Sequence, residues 1–134
     1  MKLRPIPFAT GIVGFLMLLR ASTSSANTCG EVPPERIRHV CGIVTNQVGE
    51  RIPNTELTLL KGGSELVTIQ AGPDGKFEFG RVEAGNYELR AHFDGYQTVR
   101  SPIVIVRPTT KCNRGLEVTL PVTACGGGIG KAKR

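Results

Sequence analysis

Histidine, cysteine and carboxylate side chains are the residues of this chain that could bind a metal ion or transfer a proton. A hydrolytic metal site needs two or three such ligands on one surface, and the chain has two histidines, His39 and His92. Neither begins an H-E-x-x-H or H-x-x-E motif, because His39 precedes Val40-Cys41-Gly42 and His92 precedes Phe93-Asp94-Gly95. We therefore expect no metal and no cofactor, with each histidine a surface or half-buried side chain.

Nucleophilic and acid–base catalysis require further arrangements. The sequence contains no G-x-S-x-G segment, which would position a catalytic serine. Glu78, Glu83 and Glu88 could supply the carboxylate pair of a glycosidase. However, Glu78 and Glu88 alternate with aromatic or aliphatic residues and are expected to point to solvent. The sequence therefore predicts no catalytic residue, and we expect that the protein is not an enzyme.

The four cysteines predict disulfide bonds. They are Cys29, Cys41, Cys112 and Cys125, with spacings of 12, 71 and 13 and no C-x-x-C pair. A zinc site usually contains such close pairs, whereas an even number of cysteines in a small exported protein is typical of a disulfide framework. We therefore assign all four cysteines to disulfides.

The elements that would position these residues are β-strands. Between Val40 and Leu120 the apolar residues recur with period two, which puts one face of a strand on a core and the other in water. The alternating sets are Leu57/Leu59, Val67/Ile69, Phe77/Phe79, Tyr87/Leu89/Ala91/Phe93 and Leu116/Val118/Leu120. Turn sequences such as Pro73-Asp74-Gly75 and Asp94-Gly95 separate them. The pattern predicts an all-β sandwich of seven strands.

The predicted strands restrict the disulfide pairing. Cys112 and Cys125 flank the last strand, in which seven extended residues cover about 23 Å. Bridged Cα atoms lie within about 7 Å of each other, so these two cysteines are not expected to pair. Two frameworks remain: Cys41–Cys112 with Cys29–Cys125, which we favour slightly, or Cys41–Cys125 with Cys29–Cys112.

The N-terminal residues have the pattern of a signal peptide. Lys2 and Arg4 precede a largely apolar run from Phe8 to Leu19, and Ser24-Ser25-Ala26 provides small residues for cleavage. The run is shorter than the ~20 residues needed to span a bilayer. We predict cleavage after residue 26, no membrane span afterwards, and a secreted or periplasmic (extracytoplasmic) protein. The remaining chain divides into an extension (27–38), a sandwich (39–125) and a flexible basic tail (126–134).

The net charge of +6 is located at the two ends of the chain. Residues 1–26 carry three basic side chains and the tail carries Lys131, Lys133 and Arg134. Residues 27–130 contain 11 basic and 11 acidic side chains. Binding to a phosphate backbone requires a concentrated positive surface, so we do not expect nucleic acid to be a partner.

An ordered set of glycine and apolar positions resembles the carboxypeptidase regulatory-like domains. The set is Gly42-Ile43-Val44, Gly49, Ile52-Pro53-Asn54, Leu57, Leu59, Asp74-Gly75-Lys76-Phe77, Phe79, Gly85-Asn86-Tyr87, Leu89 and Gly95-Tyr96. The resemblance implies a prealbumin-like (transthyretin-like, immunoglobulin-like) β-sandwich, a fold that also resembles starch-binding-type carbohydrate modules. It implies that Gly75 and Gly95 allow tight turns and that Phe77 and Phe79 fill the core. In carboxypeptidases such a domain accompanies the enzyme and is not itself catalytic.

The expected function is therefore binding. We expect an exported, non-catalytic module that interacts with a protein or has a structural role in the cell envelope, through its loops or an exposed sheet edge. The alternative is a carbohydrate-binding module that recognises a polysaccharide, for which Tyr96 is the candidate ligand contact because its ring follows the Asp94-Gly95 turn. A third alternative is a small transthyretin-like hydrolase, in which histidines and arginines would converge in one cleft.

Overall fold

The computed structural model describes residues 2–3, 33–123 and 127–132. Within these ranges the chain forms nine β-strands and no helix. The strands are β1 (Glu35–Ile37), β2 (Cys41–Asn46), β3 (Glu56–Lys61), β4 (Ser64–Gln70), β5 (Lys76–Glu78), β6 (Gly85–His92), β7 (Val99–Ile105), β8 (Leu116–Leu120) and β9 (Gly128–Lys131). The all-β prediction is confirmed.

The strands form two mixed sheets packed as a sandwich. The five-stranded sheet has the order β1-β7-β6-β3-β4, and the four-stranded sheet has the order β5-β2-β8-β9. Strands β1 and β7 are parallel, as are β2 and β8, and the other neighbours are antiparallel. The order brings chain segments that are distant in sequence to the same end of the sandwich.

The core lies between the sheets and contains the alternating residues. Leu57 and Leu59 of β3 pair with Ala91 and Leu89 of β6 on the inner face. The facing sheet contributes Phe77, Phe79, Val44, Leu116, Val118 and Leu120, all buried. Burial of side chains of this size stabilises the fold by about 1.5–3 kcal/mol each. The prediction that Phe77, Phe79, Leu57 and Leu59 fill the core is confirmed.

The predicted number of seven strands is wrong, because both ends of the domain add a strand. Seven strands, β2 to β8, lie within the range that has the period-two pattern. Strand β1 comes from the predicted extension, and β9 comes from the segment predicted to be a flexible tail. Each inserts a single apolar side chain into the core, Ile37 and Ile129 respectively. One apolar residue gives no periodicity, so these short strands have no sequence signal.

Strand β4 is the exposed edge of the five-stranded sheet. It pairs with β3 alone, and the register of the pair shifts between Leu59 and Leu60, where Leu66 has no partner. Val67 shares the inner face with Leu59, yet 41% of its surface is exposed, and Leu66 is 54% exposed. The prediction that Val67 lies on the core is therefore wrong, because β4 makes few contacts with the opposite sheet.

A disulfide joins Cys41 at the start of β2 to Cys112 in the loop before β8, with the Cα atoms 6.0 Å apart. The favoured pairing of these two cysteines is confirmed, and the framework with Cys41–Cys125 is excluded. Cys29, Cys125 and nearly all of the predicted signal peptide (1–26) lie outside the described residues. A Cys29–Cys125 bond thus stays a prediction. The described residues include no helix that is long and apolar enough to cross a membrane.

Candidate functional site

A pocket with exposed apolar side chains lies at one end of the sandwich, where β2 and β8 end next to the loop after β6. We call it the loop-end pocket. It has a volume of about 210 Å³ and is lined by Asn46, Gln47, Val48, Tyr96, Leu120 and Val122. The parallel pairing of β2 with β8 places Asn46 opposite Leu120, so the two strand ends form adjacent walls of the pocket.

The turn after β2 holds Val48 in a defined position. The Asn46 Oδ1 atom accepts hydrogen bonds from the backbone N–H groups of Val48 and Glu50, at 3.1 and 2.9 Å. The Asn46 amide also donates to the Glu50 carboxylate at 2.9 Å. Gly49 closes the turn with a φ of 85°, a conformation that glycine adopts without strain. Val48 is 80% exposed, although its backbone is fixed by these bonds.

Tyr96 lines the pocket and packs against the core. Its N–H donates to the Phe93 carbonyl at 3.1 Å, and the φ of 87° at Gly95 confirms the predicted tight turn. The Tyr96 and Phe93 rings lie 6.2 Å apart and are tilted by 53°, so Tyr96 is half-buried. The N–H of Gln97 donates to the Pro121 carbonyl at 2.7 Å, which holds the segment containing Val122 beside the ring.

The side chains of the pocket are suited to binding. The six lining side chains are two amides, one phenol and three aliphatic groups. Val48 and Val122 are 80% and 62% exposed, so each offers an aliphatic surface that no neighbour covers. Such a site can bury an apolar side chain of a ligand.

Comparison with models of protein families identifies the family of the domain. The model of the carboxypeptidase regulatory-like domain matches residues 39–121, more than half of the chain. The chain belongs to the carboxypeptidase regulatory-like domain family. The comparison with curated proteins finds no match. Domains of this family are regulatory modules without catalytic activity, which agrees with an apolar pocket as the candidate site.

The two histidines of this carboxypeptidase regulatory-like domain lie in separate environments. His92 ends β6, where its Nδ1 atom is 2.9 Å from the Thr98 hydroxyl and its Nε2 atom is 3.4 Å from Asp94. His39 is bonded through Nε2 to Glu78 at 2.9 Å. The arrangement of a transthyretin-like hydrolase, with histidines in a common cleft, is not found among these residues.

The prediction that His39 is a surface or half-buried side chain is wrong, since its side chain is 4% exposed. The segment between β1 and β2 crosses from one sheet to the other, so the alternation of a single strand does not apply to it. The Glu78 carboxylate, itself 58% exposed, satisfies the buried imidazole. Glu83 is exposed and Glu88 is half-buried. No group of three His, Cys, Asp or Glu residues in the described ranges could hold a metal ion.

A second cavity, which the sequence analysis did not predict, lies at the opposite end of β2 and β8. We call it the basic cleft. It is lined by Arg36, Ile37, Arg38, His39, Thr109, Lys111, Asn113, Arg114 and Lys131. Five of these side chains are lysine or arginine, drawn from segments up to 95 positions apart. A balance of charges summed along the chain could not reveal this cluster, because it is formed by strand pairing.

Proposed function

We propose that this protein is an exported, non-catalytic β-sandwich module that binds a partner protein of the cell envelope or the extracellular medium through the loop-end pocket. The observation that carries the proposal is the pair of exposed valines, Val48 and Val122, at 80% and 62% exposure beside Tyr96. The turn that presents Val48 is held by three hydrogen bonds of the Asn46 side chain. A pre-ordered turn loses little conformational entropy on binding.

The residue types at the pocket favour a protein ligand over a sugar. Sugar recognition uses the open face of an aromatic ring together with polar groups. The Tyr96 ring packs against Phe93 and the core, whereas the exposed side chains Val48 and Val122 of the pocket are aliphatic. An apolar anchor side chain from a partner would fill the space between them, in the way that interface hot spots fill pockets.

A carbohydrate ligand is the second candidate, and one observation favours it. Tyr96 lines the pocket together with the amide side chains of Asn46 and Gln47, and a ring beside amides is a common sugar-binding arrangement. A polysaccharide bound there would contact Tyr96, so its affinity would depend on this ring more than on Val48.

Export is the other part of the proposal. The signal peptide pattern in residues 1–26 supports it, and the Cys41–Cys112 bond is compatible with an oxidising compartment. The mature protein, isolated from the periplasm or culture medium, should begin at Asn27 when its N-terminus is sequenced. Recovery of the uncleaved chain with reduced cysteines from the cytoplasm would contradict export.

The binding site can be tested with matched substitutions at exposed aliphatic positions. Extracts of the envelope and the secreted fraction are passed over immobilised full chain, and the retained partner is then purified and its Kd measured. Val48→Asp and Val122→Asp should each weaken binding by about tenfold or more, as expected for pocket anchors. Leu66→Asp on β4 introduces the same charge at a similarly exposed residue and should change the Kd less than twofold.

Two results would contradict the proposal. One is an equal loss of affinity in the Leu66→Asp control, which would place the interface on the β4 edge. The other is retention of a polysaccharide and of no protein, with binding lost in Tyr96→Ala while circular dichroism shows an intact fold. That second result would establish the carbohydrate-binding alternative.

A further inference from the structure

The basic cleft concentrates positive charge in a domain that is otherwise close to neutral. Residues 33–123 and 127–132 contain 12 lysine and arginine side chains and 10 acidic ones. Five of the 12 line this one cavity, which has a volume of about 180 Å³. They belong to β1 and the segment after it, to the loop between β7 and β8, and to β9.

Backbone hydrogen bonds hold these three segments together. The Thr109 N–H donates to the Arg38 carbonyl at 3.1 Å, and the Ala132 N–H donates to the Gly115 carbonyl at 3.1 Å. The Cys41–Cys112 disulfide ties the loop to β2 next to Lys111. The backbone positions of the cations are therefore set by the fold and exist before any ligand binds.

Few carboxylates compensate this charge. Glu35 lies 3.9 Å from Lys131, and Glu78 is bonded to the buried His39. Among the described residues no carboxylate forms an ion pair with Arg36, Lys111 or Arg114. Arg38 uses its Nε–H to donate to the Arg107 carbonyl at 3.0 Å, so its charge is also not neutralised. The five cations thus exceed the two neighbouring carboxylates by three charges.

The donor groups specify the ligand chemistry. Three guanidinium groups, two ammonium groups, the Asn113 amide and the Thr109 hydroxyl can all donate hydrogen bonds. Guanidinium groups bind carboxylate and phosphate oxygens in pairs. A single carboxylate carries one charge and two oxygens, whereas a sulfate or phosphate group carries about two charges and three or four oxygens. The cleft contains no aromatic ring, so it offers nothing for a sugar ring to stack on.

We propose that the basic cleft binds a doubly charged oxyanion, a sulfate or phosphate group, as a free ion or as an ester on a larger molecule. The cavity is smaller than the roughly 300–1,000 Å³ typical of pockets that enclose whole small molecules, so it accommodates the charged group and not the molecule that carries it. This site lies at the opposite end of the sandwich from the loop-end pocket, so the two proposals are independent.

Titration of the full chain with sodium sulfate and with sodium phosphate tests the site. Amide chemical shifts are followed by NMR. Sodium chloride keeps the ionic strength constant, so that general electrostatic attraction is screened equally in all samples. Saturable shifts should occur in residues 36–39 and 109–114. The double variant Arg36→Gln, Arg114→Gln should weaken binding by about tenfold or more, since charge-assisted hydrogen bonds are lost.

Arg100→Gln is the matched control, because Arg100 is exposed at the start of β7 and lies outside the cleft. Its affinity for sulfate should change less than twofold. Equal weakening in this control, or no saturable binding of either ion, would overturn the proposal. Retained circular dichroism and thermal midpoint in the double variant would show that loss of binding is not loss of the fold.

Two anionic polymers, heparin and poly-glutamate, show whether the bound group is a free ion, an ester on a larger molecule or a carboxylate. If the ligand is an ester, heparin should bind the wild-type chain more tightly than free sulfate does, and excess sulfate should displace it. The double variant should bind heparin more weakly. If the ligand is a free ion, heparin should bind no more tightly than sulfate. Poly-glutamate that binds as well as heparin and resists displacement by sulfate would refute the oxyanion proposal, because the cleft would then recognise carboxylates.

Discussion

Removal of the Cys41–Cys112 disulfide should destabilise the domain by a large part of its total stability. Cys112→Ser is the most direct perturbation, because Cys112 is exposed whereas Cys41 is buried. The substitution opens the bond and leaves the Cys41 sulfur in its place in the structure. The double variant Cys41→Ala, Cys112→Ser then isolates the packing contribution of that sulfur by difference.

The magnitude follows from the length of chain that the bond closes. The two cysteines are 71 residues apart, and the loop-entropy model gives about 4 kcal/mol for a loop of that length. If Cys29–Cys125 is also formed, the shorter covalent path between the two sites lowers this value to about 3.5 kcal/mol. Small domains have total stabilities of about 5–15 kcal/mol. The thermal midpoint should therefore fall by roughly 15–30 °C.

Urea denaturation at about pH 5, where thiol exchange is slow, measures both the free energy of unfolding and its urea dependence, the m-value. The m-value should rise in Cys112→Ser, because an unfolded chain without the cross-link exposes more surface. A loss below about 1 kcal/mol with an unchanged m-value would refute the reasoning, since the cross-link would then not restrict the unfolded chain.

Four other substitutions test separate features of the packing. Gly42→Ala should lower the free energy of unfolding by about 2–3 kcal/mol in urea titrations, because a Cβ atom there would lie under 3.0 Å from the Leu116 backbone between β2 and β8; a neutral result would show that the strands can separate. Ser101→Ala should be neutral or stabilising by up to about 1 kcal/mol, because its buried hydroxyl has no partner in the described structure. Thr55→Val, which removes a bond to the Ile52 carbonyl, should destabilise by about 1 kcal/mol, and equal effects of these two variants would contradict the assignment. Val67→Lys should change stability by less than about 0.5 kcal/mol and reduce self-association in analytical ultracentrifugation, whereas marked unfolding would show that Val67 is part of the core.

The fold was predictable where a signal repeats within a single strand. Alternation in segments such as Leu57/Leu59 and Leu116/Val118/Leu120 specifies which residues face the core, and these residues are buried. The turn at Asp74-Gly75 was also predictable, because the local chemistry of aspartate and glycine determines it. Gly75 has a φ of 76°, and the Asp74 side chain accepts a hydrogen bond from the Lys76 N–H at 3.1 Å.

The sequence-based predictions failed where contacts with other chain segments determine the burial or the strand formation of a residue. Val67 has the right phase for the core but lies on an edge strand that the opposite sheet does not cover. His39 lies on a crossover between sheets, where Glu78 makes its burial possible. The edge strands β1 and β9 depend on pairing with β7 and β8, and a three- or four-residue segment forms no strand without such a partner.

The candidate sites were also predictable only in part. Tyr96 could be singled out because it follows a recognisable turn, but the exposure of Val48 and Val122 beside it depends on which loops meet at the ends of β2 and β8. The basic cleft could not be predicted, because its cations are separated by up to 95 positions and balanced by acidic residues elsewhere in the chain.

The sequence by itself determined the all-β class, most core-facing residues of the regular strands, the turns and the assignment of Cys41 and Cys112 to a disulfide, because these depend on side-chain period, local backbone chemistry and the even number of cysteines. The choice of Cys41–Cys112 and the formation of two pockets at opposite ends of β2 and β8 were decided by the tertiary structure. The physical reason is that strand order and register bring distant residues within contact distance, and the energy of those contacts is not a property of any single segment.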